Sequence, residues 1–297
     1  MILPDLAELL ALRAQARGLN LRARRTALAR LQGGHRSAAR GRGIEFEEVR
    51  RYAAGDDARS IDWRVTARRG KPHTKVFRED RERPVWLLAD LHPGLYFGSR
   101  RQLKSALLLR AAALLGWAAS LDGDRLGAVI GESRGGIKIL PPRSRQAGIL
   151  PVLQALVDAQ PQSPGPAQSG ALDNTLATLG HLVQPGSLVL ILSDFSHFDE
   201  SAERRLTGLA LRCDCRLLWL TDPLEVSGLP AGEYRVGLPG RLRWLDGASS
   251  RRPWHAAWSA REQHLQAFAR RLSVPLTRLD TADAIDQVLP RLLKESA

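Results

Sequence analysis

The sequence feature that most limits the possible folds of this chain is the run Pro-Val-Trp-Leu-Leu-Ala-Asp at residues 84–90. Six uncharged residues are followed by an aspartate, and such an apolar run is typical of a parallel strand that is buried on both faces. In an open α/β sheet, the carboxyl ends of such strands form the edge at which ligands bind. The sequence therefore predicts an α/β sheet with Asp90 at its binding edge.

From residue 84 onward, segments with strand character alternate with segments with helix character, which predicts a doubly wound sheet. The predicted strands are 84–90, 125–131, 137–141, 187–193, 214–220 and 274–279, and the predicted helices lie near 100–121, 144–159, 171–183, 201–212, 252–272 and 282–294. A short glycine-rich turn joins the second and third of these strands. We therefore expect a hairpin that adds one antiparallel strand to a mostly parallel sheet. Residues 222–250 are less regular, with short strands expected at 233–237 and 241–245.

Residues 1–80 are predicted to form an N-terminal part that precedes an α/β domain at 81–297. Apolar residues at helical spacing predict a helical arm over 5–31, and a Gly/Arg-rich connector follows at 33–43. The alternating pattern of 44–52 predicts an edge strand, for which 73–77 is the candidate partner. We expect a helical arm followed by a small, partly β subdomain.

Composition favours a globular protein with a sizeable core, because 44% of the 297 residues are hydrophobic. No apolar run reaches the roughly 20 residues of a membrane span, and the N-terminus lacks a signal-peptide pattern. These observations predict a cytoplasmic protein.

Cys213 and Cys215 share one face of a predicted strand, and a zinc or redox site would need further ligands or another spacing. We expect both thiols to be reduced core residues.

The net charge of +13 is concentrated in the first 80 residues, which hold 18 Lys/Arg against 10 Asp/Glu. Nine arginines and no acid lie between Arg13 and Arg42. Such a stripe could follow a phosphate backbone, although no aromatic stacking pattern accompanies it. An acidic protein partner fits the same charge. A nucleic-acid-associated protein that binds through this arm is therefore the alternative to a protein-binding function.

The most specific motif begins with an arginine and a tyrosine two residues apart. A Gly-Asp-Asp turn signal follows, and the motif ends in a cluster of charged residues around one tryptophan. Its residues are Arg50, Tyr52, Gly55, Asp56, Asp57, Arg59, Ile61, Asp62, Trp63, Ala67 and Arg68. Together with residues 34–37, 41–46 and 97–99, the motif resembles the bacterial family called domain of unknown function fifty-eight. This resemblance covers most of the chain.

Members of that family look like von Willebrand factor A domains with an N-terminal extension, and are typically encoded beside MoxR-type AAA+ ATPases. The resemblance implies a von Willebrand factor A-like fold and a non-enzymatic adaptor that works with such an ATPase to mature or remodel a client complex. Two roles for the cluster from Gly55 to Arg69 stay open. Arg59 and Asp62 could tie the extension onto the sheet through buried ion pairs, or the cluster could dock a partner.

The resemblance also implies a metal-ion-dependent adhesion site, in which a D-x-S-x-S segment, a threonine and a later aspartate gather oxygens around Mg²⁺. Asp90, Thr175 and Asp194 occupy the expected places, but His92 and Gly94 replace the two serines. We therefore expect a degenerate edge without metal or other cofactor, which still binds a partner. Weak Mg²⁺ binding through the three remaining oxygen ligands and a transition metal recruited by His92 are the alternatives.

Two further patterns imitate nucleophilic sites. Ser133 lies in a G-x-S-x-G match, but the next segment is a predicted strand and not the helix that a nucleophile elbow requires, so we expect a hairpin turn. The segment at 193–199 offers further candidates for a triad in Ser193, Asp194, Ser196, His197 and Asp199, but neighbours in sequence rarely give triad geometry. We place Asp194 at the metal edge and His197 on a surface loop.

The chain has no P-loop motif, so any ATP dependence would come from a partner.

Overall fold

The computed structural model of the protein describes residues 3–19, 21, 44–52, 61–79, 82–132, 135–166, 170–238 and 241–295. The chain divides into two compact units. The larger unit comprises Met1–Thr26 and Arg83–Ala297, and the smaller unit comprises Ala27–Glu82.

The described strands form one six-stranded sheet and two separate strand pairs. They are β1 (Ile44–Arg51), β2 (His73–Glu79), β3 (Pro84–Asp90), β4 (Arg125–Gly131), β5 (Ile137–Ser144), β6 (Leu188–Ser193), β7 (Asp214–Thr221), β8 (Glu233–Leu238), β9 (Arg241–Asp246) and β10 (Leu276–Asp280). The large sheet has the order β10-β7-β6-β3-β4-β5. All neighbours in it are parallel except β4 and β5. The predicted doubly wound sheet with one antiparallel strand is confirmed.

Helices cover both faces of this sheet. The described helices are α1 (Leu6–Ala11), α2 (Trp63–Arg69), α3 (Lys104–Leu121), α4 (Gln146–Ala159), α5 (Ala171–Leu182), α6 (Glu200–Ala210), α7 (Pro223–Ser227), α8 (Gly247–Arg271) and α9 (Ile285–Glu295). Alternate residues of β3 enter different cores: Val85 and Leu87 join the core that includes α3 and α4, and Trp86 joins the core that includes α5 and α6. Burial on both faces explains why this strand is apolar throughout.

Helix α3 is the central element of the first core. Among the described residues it is also the one helix that is long and apolar enough to cross a membrane by length and composition, and 83% of it is buried inside the protein. The indole Nε1 of Trp117 on α3 donates a hydrogen bond to the carbonyl of Leu9, 3.0 Å away. This contact joins the N-terminal segment to the large sheet.

The N-terminal segment differs from the helical arm that the sequence predicts over residues 5–31. Helix α1 ends at Ala11, and turns follow through Gly18, which has a φ of +92°. Leu9, Ala16 and Leu21 are buried in the core of the larger unit. The early residues therefore group with the α/β domain, because their apolar side chains complete its core. Residues 22–43, which include most of the arginine stripe and the connector, lie outside the described part.

The smaller unit contains the antiparallel pair β1–β2 that the alternating pattern predicts, with α2 between the two strands in sequence. Asp62 caps α2 by accepting hydrogen bonds from the backbone amides of Arg64 and Val65, at 3.0 and 3.1 Å. Trp63, the first residue of the helix, is 70% exposed. Arg50 lies in β1 and Tyr52 directly after it, whereas Gly55, Asp56, Asp57 and Arg59 of the motif fall outside the described residues.

Two local predictions are confirmed in the larger unit. A strand, β5, follows the G-x-S-x-G match, and the amide of Glu132 donates to the carbonyl of Gly136 at 2.8 Å to close the hairpin. Ser133 itself lies outside the described residues. Cys213 and Cys215 are buried free thiols, and burial raises the pKa of both.

Candidate functional site

The carboxyl ends of β3 and β6 lie at the point where the sheet changes its direction of winding. Asp90 is the last residue of β3, and Asp194 directly follows β6. Strand β3 pairs with β4 on one side and with β6 on the other, so the chain moves outward in both directions from this position. Open α/β sheets bind their ligands in this crevice.

The positive charge at this edge of the sheet is supplied by a lysine side chain of the protein itself. Lys104, the first residue of α3, is only 2% exposed. Its Nζ donates to Asp194 Oδ2 and to Glu225 Oε1, each at 2.7 Å. The ammonium group thus bridges the loop after β6 and helix α7.

Burial alone would disfavour the charged form of each of these groups. For Asp194, burial acts to raise the pKa, but the ammonium of Lys104, together with His92 and Arg261, holds that pKa well below its usual value. For Lys104, burial acts to lower the pKa, but Asp194 and Glu225 raise it overall. Both groups therefore stay charged, and each is the reason that the other can be buried.

His92 and Gly94 replace the two serines of the expected metal motif, and the structure shows that the two replacements are sterically coupled. His92 is 4% exposed as a residue, and its Nε2 lies 3.4 Å from Asp194 Oδ1. A Cβ atom on residue 94 would lie 2.9 Å from His92 Nδ1. A side chain at position 94 would therefore collide with the ring, and glycine there makes room for it.

The protonation of His92 responds to its acidic neighbours. Burial acts to lower its pKa, but Asp194 and Asp90 outweigh burial and raise the pKa overall. Within the described part of the chain, neither ring nitrogen has a partner at good hydrogen-bond geometry. The imidazole therefore interacts with the carboxylates mainly through charge.

Asp90 is held by a serine and not by a cation. Ser193 Oγ donates to Asp90 Oδ2 at 2.6 Å and accepts from the amide of Phe195 at 2.9 Å. Phe195 has a φ of +51°, in the left-handed region that non-glycine residues seldom adopt, so the loop after β6 carries local backbone strain. Burial raises the pKa of Asp90.

Thr175 lies beside this edge, but its hydroxyl is used within its own helix. Its Oγ1 donates to the carbonyl of Leu172 at 2.9 Å. Its methyl group faces Gly131, the residue paired with Asp90 across β3 and β4, at 3.2 Å from the position that a Cβ there would occupy. The structure thus brings Asp90, His92 and Asp194 together and places Thr175 next to them.

A third buried carboxylate, Asp222, lies after β7, and sequence reasoning missed it. Asp222 accepts hydrogen bonds from the amide and Oγ of Ser99, at 2.7 and 2.5 Å, and from the hydroxyl of Thr281. Residue 98 must be glycine because a Cβ there would overlap the carbonyl oxygen of Gln102. This packing explains the Phe-Gly-Ser segment at 97–99, which holds the chain before α3 against the end of β7.

Lys104 and Glu225 were also missed, and the sequence carried a signal for each. Lys104 is a lone cation at the start of a long apolar helix, where burial demands an acidic partner. Glu225 stands three residues after Asp222 in a capping box, with both reciprocal hydrogen bonds present. The pairing between the two was not readable because 121 residues separate them.

This donor set does not fit a resident Mg²⁺. The ammonium of Lys104 already occupies Asp194 Oδ2 and Glu225 Oε1. The described residues contain no group of three or more His, Cys, Asp or Glu side chains arranged to hold a metal ion. A hard divalent cation needs about six oxygen ligands in near-octahedral geometry, which an ammonium and an imidazole at this position do not supply.

The arrangement around Ser193 is also unlike a hydrolase triad. The hydroxyl of Ser193 is bonded to Asp90, whereas His197 is exposed on the following loop, as predicted. Asp199 caps α6 by accepting from the amide of Ala202 at 2.9 Å. These three side chains therefore have separate structural roles.

Several known proteins are similar to this chain. Uncharacterized proteins of Mycobacterium bovis and Mycobacterium tuberculosis are 32% identical to it over 197 residues, which is 66% of this chain and 61% of theirs. The chain thus spans less than two thirds of the length of these curated relatives.

Among solved structures, the conserved hypothetical protein BatB from Bacteroides thetaiotaomicron matches 72% of this chain and 98% of its own, with 13% identity and a TM-score of 0.45. An aerotolerance-related membrane protein from Bacteroides fragilis matches 71% of this chain and 98% of its own, with 10% identity and the same TM-score.

Residues 48–252 match the family model described as Protein of unknown function DUF58. This stretch includes the whole Arg50–Arg68 motif, the Phe-Gly-Ser segment, the strand that carries Asp90 and the strand that Asp194 follows. The chain therefore belongs to the DUF58 family.

Proposed function

We propose that this protein is a non-enzymatic, cytoplasmic adaptor that works with a MoxR-type AAA+ ATPase in the maturation or remodelling of a client complex. The proposal rests mainly on one observation: the acidic side chains at the sheet edge are buried and already paired within the protein. Asp90, His92 and Asp194 are each 5% exposed or less, and the protein's own ammonium satisfies the acidic cluster. Such an edge supports a rigid scaffold for protein contacts better than it supports catalysis.

The ATPase partnership rests on the resemblance to von Willebrand factor A-like proteins that are encoded beside such ATPases. A further feature supports a docking role for the smaller unit. Trp63 belongs to the motif that carries the resemblance and is 70% exposed. Because tryptophan and arginine are enriched among the residues that dominate binding energy, and Arg64 directly follows Trp63, we assign Trp63 to a partner contact.

The test is a binding titration between the purified full chain and a MoxR-type ATPase from the same genome, with ATP or ADP present. We expect saturable binding that Trp63→Ala weakens by about tenfold or more. The melting temperature of Trp63→Ala should stay close to that of the parent protein, because little of this side chain is buried. The matched control is Leu211→Ala, which removes a side chain that is 61% exposed on the larger unit.

Absence of binding in every nucleotide state would overturn the proposal. A parallel titration with single- and double-stranded oligonucleotides tests the alternative. Tight oligonucleotide binding that falls steeply with salt, in a protein that ignores the ATPase, would assign the function to the arginine-rich arm.

A further inference from the structure

The β8–β9 hairpin has one face that is partly covered near the base of the hairpin and one face that is exposed. In its antiparallel register, Tyr234 lies opposite Leu245 and Arg235 lies opposite Trp244. Opposite residues share a face of the sheet. Tyr234 and Leu245 are half-buried, whereas Arg235 and Trp244 are exposed. The second pair therefore marks the solvent face.

This solvent face carries large apolar side chains. Trp244 is 72% exposed and Leu242 is 61% exposed. An antiparallel pair with one solvated face normally places polar residues there. Gly237 lies opposite Leu242, and a Cβ on Gly237 would meet Leu242 Cδ2 at 3.6 Å, so the leucine side chain lies beside the glycine backbone. The face thus presents an indole and an isobutyl group to solvent.

The hairpin is fixed at its base, so the apolar face is presented in a defined position. The amide of Gly247 donates to the carbonyl of Gly232 at 2.8 Å. A Cβ on Gly247 would overlap the carbonyl oxygen of Pro230, so the two chain segments are in close contact. Asp246 caps α8 by accepting from the amide of Ala248 at 3.1 Å. Because the platform is already ordered, binding to it would cost little conformational entropy.

The charge around this face is positive. Residues 233–252 contain five arginines and two acids, and one of the acids is the capping Asp246. Arg235 is exposed on the same face as Trp244, and Arg251 and Arg252 are exposed in α8. Tryptophan and arginine together dominate many protein interfaces, and a basic rim favours an acidic partner.

The free edges of the hairpin favour a polypeptide as that partner. Among the described strands, β8 and β9 pair only with each other, so each keeps an outer edge whose backbone groups face no other strand. An added strand can satisfy such an edge through main-chain hydrogen bonds. A nucleic acid or a lipid surface cannot form these bonds.

We propose that the β8–β9 hairpin binds an acidic, extended segment of a partner protein, which adds a third strand at a free edge and packs its side chains against Trp244 and Leu242 on the exposed face. This inference rests on the proposed adaptor function and names the surface and the partner chemistry that the function would use.

The experiment selects a random-peptide display library on the full chain, with counter-selection against a Trp244→Ala, Leu242→Ala double variant. Enriched peptides are then synthesised and titrated by fluorescence anisotropy. We expect them to carry net negative charge and residues with β propensity. Each apolar substitution, and Arg235→Glu separately, should weaken binding about tenfold or more, because Arg235 shares the face of Trp244. Leu211→Ala is the control, because Leu211 is 61% exposed, as Leu242 is, on a different element.

Melting temperatures of all variants establish that they fold. Peptides that bind the double variant as well as the parent protein, or that carry net positive charge, overturn the proposal. Oligothymidine or phosphatidylglycerol vesicles that bind in a Trp244-dependent way, when no peptide does, overturn it in favour of a nucleic acid or a membrane. If the ATPase binds but no Trp244-dependent peptide is found, the hairpin assignment fails and the adaptor function stands.

Discussion

Lys104 is the residue on which the charge balance of the sheet edge depends. Its ammonium lies 2.7 Å from carboxylate oxygens of both Asp194 and Glu225, with almost no exposure to water. A buried ion pair seldom adds much net stability relative to apolar packing, but removal of one partner leaves the other charge uncompensated. The sensitivity of this site to substitution is therefore asymmetric.

We expect Lys104→Met to destabilise the protein by about 3–5 kcal/mol, because it leaves the Asp194 carboxylate buried without its cation. Urea denaturation would measure the loss. The matched control is Lys138→Met, which breaks an ion pair with Asp158 at 3.6 Å between side chains that are 41% and 52% exposed. That control should cost about 1 kcal/mol or less. Equal losses in the two variants would show that the Lys104 pair is not a buried one.

His92 gives the site a pH dependence whose direction follows from its raised pKa. A group with a folded-state pKa above its unfolded value of 6.5 contributes stability below that value, and the contribution is lost as pH rises through the folded-state pKa. We expect the free energy of unfolding to fall as pH rises from about 6 through neutrality. His92→Gln should flatten this part of the profile. Parallel profiles for the two proteins would contradict the assignment.

At the scale of elements, the Phe-Gly-Ser segment at 97–99 decides how helix α3 enters the fold. The Ser99 amide and hydroxyl bond to Asp222 after β7, and Gly98 lets the chain approach Gln102 closely. The amide of Lys104 donates to the carbonyl of Phe97 at 2.7 Å, which fixes the first turn of α3. The segment therefore positions the ammonium that the sheet edge requires.

Gly98→Ala tests this positioning. The added methyl group has no room beside the Gln102 carbonyl, so we expect a loss of about 1–3 kcal/mol from backbone displacement, and more if the Ser99 bonds to Asp222 break. Gly208→Ala in α6 is a control of opposite sign, because a Cβ there meets nothing within 4 Å. Alanine at this position should stabilise the protein by about 0.5–1 kcal/mol. Thermal and urea unfolding measure both variants, and a neutral Gly98→Ala would refute the steric argument.

The elements of the large sheet could be predicted from sequence because burial on both faces leaves continuous apolar runs, as in β3 and β6. The antiparallel β5 was predictable from its glycine turn. The predicted N-terminal helix was too long. After Ala11 the chain forms turns, and its apolar residues reach the core from these turns and not from a helix. Asp90 and Asp194 could be placed at one edge because parallel strands align their carboxyl ends. Lys104 could not be paired with Glu225, since no local pattern links residues so distant in sequence.

At the scale of the whole molecule, metal binding would appear as a change in global stability. A ligand that binds only the native state stabilises it by RT ln(1 + [L]/Kd). Because Lys104 already neutralises Asp194, we expect millimolar Mg²⁺ or Mn²⁺ to stabilise the protein by about 1 kcal/mol or less. Thermal melts of chelator-treated protein, with and without each ion, make the measurement. A clear rise in melting temperature at micromolar metal would contradict this expectation.

The Lys104 bridge also has an evolutionary consequence. In a metal-binding edge, the cation is exchangeable, and each ligand can be lost stepwise as affinity declines. Here the cation is encoded in the chain and Glu225 serves two partners, since its Oε2 also accepts from the amide of Asp222 at 3.1 Å. A lineage that loses the lysine alone passes through a poorly folded intermediate, so positions 104, 194 and 225 should change in concert or not at all. We therefore expect these three positions to covary among homologues, because the cation is covalently part of the chain and cannot be exchanged.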